Sequence, residues 1–588
     1  MKILSLHCDY IKFKPLKPAI KGMELPKGEE NQIEVKDPLV IMTAVEKADQ
    51  DNKTILEDYI KNILDLKDKI GKIDRIVLYP YAHLSSSLSS PDFAKQLLID
   101  AEKKLKEAKI DVFRAPFGFY KEFELKCKGH PLSELSRSIG TQTQTVEVKT
   151  NIVKKEEKVE VTEEERLRIV KRLSKNTMQT IRGKDDQKSN VELGKELDLY
   201  MVSEVVGQGL PLLTPKGATI KREIERFAID EELKRGYEHT ATPFMAKSDL
   251  YKVSGHWQHY QDGMFVLQDG EETLSLRPMT CPFQFVLYKR KQRSYKDLPK
   301  KYAEVATLFR KEQSGELRGL TRVRQFTLAD AHLICRPDQL EEQFIEVIDL
   351  INYTMKCLGI KDMTYRFSKW DPKNKEKYID NPAAWEDTQK KMKIILDKLK
   401  IKYIEAEGEA AFYGPKLDLQ YKDVYGKEDT LLTVQIDFAL PERFDMTYID
   451  SDGKEKRPWI IHRSSTGCTE RTMAYLLEKT QGNLPTWLSP VQVKVLSFTD
   501  RNEEAAKKVL KELNEAGIRA EADFTSTTVQ DKVRNASMMK IPYIVTIGDK
   551  EEEKKTIAVK KRGEDKPKFG VKLKDFLEEI TLEIKERK

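Results

Sequence analysis

Paired cysteines are the first thing this sequence lacks. The six present, Cys8, Cys127, Cys281, Cys335, Cys357 and Cys468, are scattered through 588 residues without recurring spacing. That excludes a disulfide framework and fits reduced thiols in a reducing compartment. No apolar run approaches the roughly 18 residues a membrane span needs, and no charged-apolar-small cleavage pattern opens the chain. Cytoplasmic residence without membrane contact is the expectation. Internal repeats are missing too. Nor is there a strong charge of one sign: 104 Lys and Arg against 97 Asp and Glu leave a net charge of +7. Such an excess permits a polyanionic partner without demanding one.

What is present suffices for several cores. An apolar fraction of 39% beside 34% charged residues describes well-packed domains with a heavily ionised surface. At about 150 residues per domain the length predicts three or four of them. Residues 1–137 read as an α/β domain, with KILSLHCDYIKF and DRIVLYP as strands and Ser90-Pro91 starting an amphipathic helix. Residues 138–200, opening TQTQTVEVKT, read as a linker with polar helical segments. Residues 201–488 form the largest block. It starts with a helix at Thr214-Pro215 that sets Ile220, Ile224 and Phe227 on one face, and YEHTATPFM follows as a strand. Residues 489–588 read as a second α/β domain with a Lys/Arg-rich edge, its first helix capped by Asp500 and Glu503.

The stretch from Tyr302 to Cys335 concentrates the chemistry. It reads as two strands joined by a polar loop with Gly315 and Gly319 at turn positions. Alternate residues of a strand share a face, which puts Arg322, Phe326, Asp330 and His332 together, and Arg310 with Glu312. A cation, an aromatic platform, a carboxylate and an imidazole in sequence suit a long ligand that is anionic at one end and carries a base.

These residues resemble motif 2 of the class II aminoacyl-tRNA synthetases, with Phe309-Arg310-Lys311-Glu312 as its signature. The wider match, through Arg277-Pro278-Met279-Thr280-Cys281-Pro282 and Ile461-His462-Arg463, resembles the threonyl-tRNA synthetases with an archaeal-type N-terminus. The resemblance covers nearly the whole chain. It implies an α+β multidomain fold: an antiparallel class II sheet flanked by helices, between a deacylase-like α/β editing domain and an anticodon-binding α/β domain. It also implies ligation of L-threonine to tRNA(Thr) through an adenylate, a homodimer built on the helix-strand pattern at Thr214, and Mg²⁺ with ATP. The alternatives are another class II ligase, prolyl or seryl, and a non-catalytic tRNA-binding paralogue.

The family assigns roles residue by residue. Arg310 bridges the α-phosphate and the amino-acid carboxylate, as a planar fork can. Glu312 accepts from adenine, Phe326 and Arg471 stack on it, and Arg322 contacts the terminal phosphates. Cys281, His332 and His462 are expected to hold one Zn²⁺ per subunit, although their sequence spacing is silent about a metal. Three protein ligands leave an open position. Threonine's amino and hydroxyl groups would fill it, with Asp330 accepting from the hydroxyl and Tyr413, Lys416 and Gln435 nearby. Motif 3 is expected in STGCTERTMAYLLEK, where Gly467 stands alone and Glu470-Arg471 carry the match.

Valine would leave polar groups unpaired in such a site, whereas serine loses only one methyl, worth about 1–3 kcal/mol. A second sieve therefore follows, and the resemblance places it in residues 1–137, with His83, Tyr120, Lys121 and Glu134 as a polar cluster. At the other end Glu551 matches a base-reading position of the anticodon domain. Lys560 stands where bacterial relatives carry Arg, with Lys561 or Arg562 as substitutes.

Overall fold

The computed structural model describes all residues except 20–24, 26–30, 72, 86, 131, 140–161, 179–182, 375 and 588. The stretch read as the start of a linker, TQTQTVEVKT, lies outside the described residues. The chain divides into two units, residues 1–158 and 159–588.

In the first unit a seven-stranded sheet is organised around one long strand, β1 (Lys2–Pro18). β2 (Ile33–Lys36) and β3 (Pro38–Ala44) pair antiparallel with it, and β4 (Arg75–Pro80) and β5 (Asp111–Arg114) extend β3 in parallel. The crossovers are α1 (Ile55–Ile70) and α2 (Pro91–Glu107). β6 (Phe119–Cys127) and β7 (Glu134–Ser138) share the other edge of β1. Seven buried residues in a row make β3 the centre of this core, as a strand covered on both faces must be.

The second unit begins with α3 (Glu163–Leu173) and α4 (Asn190–Glu196). α4 is no linker: Val191 and Leu193 are buried, and the Asn190 side chain donates to Glu478 (2.7 Å). α5 (Pro215–Lys234) starts where Thr214 accepts from the Gly217 amide, and it buries Ile220, Ile224 and Phe227. The strand expected after it shrinks to β8 (Glu238–His239); the Thr240 amide still donates to the Ala303 carbonyl (2.8 Å), and beyond it side chains take over the contact with the sheet. The hydroxyls of Thr240 and Thr242 hydrogen-bond to the buried Glu304 carboxylate.

After α6 (Cys281–Lys289) come β9 (Lys300–Phe309) and β10 (Gln325–Cys335), followed by α7 (Leu340–Cys357), β11 (Thr364–Lys369), α8 (Pro382–Lys398) and β12 (Tyr403–Glu407). β13 (Lys416–Lys422), β14 (Glu428–Asp437), β15 (Trp459–Cys468) and α9 (Thr469–Thr480) complete the block. The eight strands run in the order β8-β9-β10-β15-β14-β13-β11-β12, antiparallel except for the two outermost pairs.

The C-terminal part holds β16 (Val493–Ser497), α10 (Glu503–Glu515), β17 (Ala520–Asp523), α11 (Val529–Met538), β18 (Tyr543–Ile547), α12 (Asp549–Lys554), β19 (Ile557–Lys561), β20 (Lys568–Val571) and α13 (Leu573–Lys585). Its sheet runs β17-β16-β18-β19-β20. The expected Asp500–Glu503 capping box is displaced by one residue: Asn502 accepts from the Thr499 amide (3.3 Å), so Glu503 opens the helix and caps nothing. Among the described residues no helix is long and apolar enough to cross a membrane.

Candidate active site

Strand register assembles the site. Tyr302 lies opposite His332, His332 opposite His462, His462 opposite Gln435, and Gln435 opposite Lys416. Residues directly opposite one another share a face. A single row across β10, β15, β14 and β13 therefore presents two imidazoles, an amide and an ammonium to one side of the sheet. Two residues back along β10, Asp330 faces the same way, opposite Ser464. Above this face lies a cavity of about 370 Å³. Arg310, Glu312, Arg322, Phe326, Asp330 and Arg471 line it, as do Tyr413, Lys416, Gln435, Cys281, His332 and His462. Every residue of the central block expected to meet nucleotide, amino acid or metal is in that one cavity.

The loop between the two strands differs from the expectation. β9 ends at Phe309, paired with Gln325, so Arg310, Glu312 and Arg322 lie beyond the strands and their positions do not follow from alternation. The loop folds back instead. Arg310 N–H donates to Arg324 O (2.9 Å), and Arg322 Nε donates to the Glu312 carboxylate (2.9 Å). The Arg310 guanidinium lies 5.1 Å from the Phe326 ring centroid. Arg471 donates to the Thr321 (3.1 Å) and Thr430 (2.7 Å) carbonyls, which fixes its fork at the far wall. Gly467 is obligatory at the strand-helix switch: its φ is +72°, and a Cβ there would meet Leu431 O at 2.5 Å.

One ligand atom each from Cys281, His332 and His462 lies within 4.8 Å of the others, and all three residues are buried. Their partners fix the tautomers. His332 Nδ1 donates to Gln284 Oε1 (2.6 Å), leaving Nε2 with a free lone pair. His462 Nε2 donates to Asp437 Oδ2 (2.8 Å), leaving Nδ1. Asp437 is itself held by the amides of Ala439 and Leu440 (2.8 and 2.9 Å). Burial drives the His332 imidazole well below its ordinary range, hence neutral, and drives the Cys281 thiol well up. A buried thiol facing two oriented imidazoles is a donor set for a cation that takes sulfur and nitrogen, and the residues fit Zn²⁺. Asp330 is also pushed up by burial, to about 6. Tyr413 O–H donates to Gln435 Oε1, and its ring stacks on His462 with centroids 5.1 Å apart.

Three partners escaped the sequence reading although a signal was there. Gln284 is one helical turn from Cys281, and Asp437 is two strand residues from Gln435, so each shares its neighbour's face. Asp418 likewise follows Lys416. Its Oδ2 accepts from Lys416 Nζ (2.6 Å) and Ser368 Oγ (2.7 Å).

In the first unit a second cavity, of about 500 Å³, is lined by Thr43, Tyr79, Tyr81, His83, Tyr120 and Lys121 among others. Lys121 Nζ donates to the Pro116 (2.9 Å) and Phe119 (3.1 Å) carbonyls and lies 5.2 Å from the Tyr79 ring centroid. Burial lowers its ammonium to about 8. Glu134 does not join this cluster. It pairs with Leu6 on β1, whereas Lys121 pairs with Pro15 beyond the register shift at Cys8 and Tyr10, and Glu134 does not line the cavity.

In the C-terminal domain Glu551 accepts from the Gly548 amide (3.2 Å). Both substitutes for Lys560 are committed elsewhere, Lys561 to Glu583 (2.9 Å) and Arg562 to the Lys540 and Leu484 carbonyls. Lys560 carries no ion pair among the described residues.

Comparison with known proteins agrees along the chain. Residues 1–139 match the archaea-specific editing domain of threonyl-tRNA synthetase, 251–480 the class II core domain (G, H, P, S and T), and 491–583 an anticodon-binding domain. A threonine–tRNA ligase from Clostridium botulinum is 58% identical over 397 residues, covering 67% of this chain and 62% of the relative. The chain thus spans about 62% of that curated relative's length. A crystal structure described as the RNA binding domain of threonyl-tRNA synthetase from Cryptosporidium parvum superposes with a TM-score of 0.64 at 32% identity, covering 67% of this chain and 98% of that one. Prolyl-tRNA synthetase from the same organism shares the fold alone, at 14% identity and a TM-score of 0.53 over 68% of this chain and 75% of that one. With a class II core between an archaea-specific editing domain and an anticodon-binding domain, the chain belongs to the threonyl-tRNA synthetase family.

Proposed function

We propose that this chain ligates L-threonine to tRNA(Thr) at the expense of ATP, through a threonyl-adenylate, and that its N-terminal domain hydrolyses mischarged seryl-tRNA. The observation that carries the reading is the convergence of Cys281, His332 and His462 in the same cavity as Arg310 and Arg471. A nucleotide site alone would suit several ligases; a half-open thiol-imidazole centre beside it suits a β-hydroxy amino acid.

Adenylate formation joins a threonine carboxylate oxygen to the α-phosphorus and breaks the bond to pyrophosphate. Positioning and charge neutralisation account for most of the catalysis. Adenine lies between Phe326 and Arg471, with Glu312 accepting from its amino group. Arg322, released from Glu312, meets the terminal phosphates that arrive with Mg²⁺. Arg310 leaves the Phe326 face to bridge the carboxylate and the α-phosphate. Cys281, His332 and His462 would hold Zn²⁺, which would supply a Lewis-acidic position for threonine's amino and hydroxyl groups. Asp330 accepts from that hydroxyl, and Tyr413, Lys416 and Gln435 close the pocket around the amino acid. In the editing cavity Lys121, His83 and Tyr120 surround the ester, and Lys121 directs charge or water at it. Glu551 and Lys560 face the anticodon, and the chain works as a homodimer.

ATP–pyrophosphate exchange across the amino acids, with zinc measured alongside, tests this. Exchange is expected with threonine, more weakly with serine and not with valine, in protein containing one zinc per subunit. Exchange with proline and none with threonine would overturn it, as would full threonine activation after complete removal of zinc.

A further inference from the structure

The walls of the nucleotide slot are braced from behind. Thr327 follows Phe326 on β10 and so points to the opposite face of the sheet, away from the cavity. There its backbone N–H donates to Glu470 Oε2 (2.8 Å), and Glu470 precedes Arg471 in the first turn of α9. Lys221, from the middle of α5, donates to Glu470 Oε1 (2.6 Å) and to Thr327 Oγ1 (2.6 Å). Glu225, one turn along α5, lies 3.7 Å from the same ammonium, and Cys468 Sγ donates to Glu470 (3.6 Å). Glu470 and Thr327 are each about 4% exposed. Burial would depress the Lys221 ammonium, but Glu470 reverses that and holds it above its ordinary value.

We propose that Lys221 is a positioning residue for the nucleotide. Its bonds to Glu470 and Thr327 lock β10 to α9 and thereby set the gap between Phe326 and Arg471. Lys221 touches neither ATP nor any cavity-lining side chain named above. The inference rests on the reading that adenine occupies that gap. Motif 2 and motif 3 residues supply the two walls, and a helix outside both fixes their separation. A Lys at this place has a reason that core packing does not give: packing alone would favour an apolar residue over an ammonium taken partly out of water.

Full-length Lys221→Met and Lys221→Arg are compared by ATP–pyrophosphate exchange, calorimetric ATP binding and thermal melting. Lys221→Met is expected to raise both KM and Kd for ATP about tenfold, as a loosened slot should, with KM for threonine unchanged within about twofold. Lys221→Arg recovers most of the ATP affinity. In Lys221→Met/Glu470→Gln the unpaired buried carboxylate is gone, so the melting temperature recovers while ATP affinity stays low. Unchanged ATP affinity in Lys221→Met overturns the inference. So does ATP affinity that returns together with the melting temperature in the double variant, because that is simple stabilisation. An unaltered chain that neither exchanges pyrophosphate nor binds ATP overturns the function reading and this inference with it.

Discussion

Lys121 carries its charge under strain of solvation, and that makes its role measurable. Its ammonium is charged below about pH 8 and increasingly neutral above, because burial takes it out of water. If that charge serves hydrolysis, deacylation of seryl-tRNA falls as pH rises through about 8, while threonine activation in the other unit does not follow the same curve. Lys121→Ala abolishes deacylation and leaves threonine-dependent exchange intact; a flat pH profile, or unimpaired deacylation in the variant, removes the catalytic role. At the thiol-imidazole centre the informative residue is Gln284, which is none of the three candidate ligands. It accepts from His332 Nδ1 and donates to Thr240 Oγ1 (2.9 Å), so it fixes both tautomer and ring orientation. Gln284→Leu is expected to weaken zinc binding by about 10–100-fold, the usual penalty for losing an outer partner. Chelator competition on the purified protein reads this directly, and unaltered affinity would show that the ring is held by packing alone.

At the scale of elements, the switch from β15 to α9 leaves no room for a side chain. Gly467 sits at φ +72° with the Leu431 carbonyl where a side chain would begin. Gly467→Ala adds the left-handed penalty of about 1–2 kcal/mol and a backbone clash besides. We expect at least that loss of stability in the denaturant midpoint, together with a weakened ATP site as Arg471 shifts. The resemblance to motif 3 marked this switch in the sequence, whereas the α5 stripe and the Thr214 cap were legible from a local period and a single cap. The ends of β9 and β10 were not. Alternation says which residues share a face but not where pairing stops, so Arg310, Glu312 and Arg322 were given strand geometry that they lack. Glu134 failed for a related reason: a polar residue near a predicted site in sequence was credited to it, whereas β1 is long enough to hold β6 and β7 at opposite ends. The row from His332 to Lys416 is a property of register across four strands, and no single segment contains it. The family's motifs, not spacing, brought its members together in the sequence reading.

At the scale of the second unit, the C-terminal domain is tied to the central block by its last described residue. Arg587 donates to Glu231 on α5 (2.7 Å), and its guanidinium lies 4.4 Å from the Phe227 ring centroid. Lys234 and Arg235 also donate to Glu231 (2.7 and 2.8 Å). Burial pushes this carboxyl up, but the three cations together hold it down at about 2. The sign follows by linkage: a carboxyl with a depressed folded value adds stability above its unfolded range, near pH 4.5, and loses it as pH falls towards 2. Arg587→Ala should therefore cost on the order of 1.5–3 kcal/mol at neutral pH, the range for hydrogen bonds to charged groups, and should make the acid limb of the stability curve shallower. Because α5 also carries Lys221, the same contact joins the proposed anticodon reader to the helix that braces the nucleotide slot. If the domains must hold a fixed spacing for one tRNA to span both, Arg587→Ala raises KM for tRNA while ATP–pyrophosphate exchange, which needs no tRNA, stays at the level of the unaltered chain. Equal losses in both assays would mean that the contact serves folding and not the geometry of the complex.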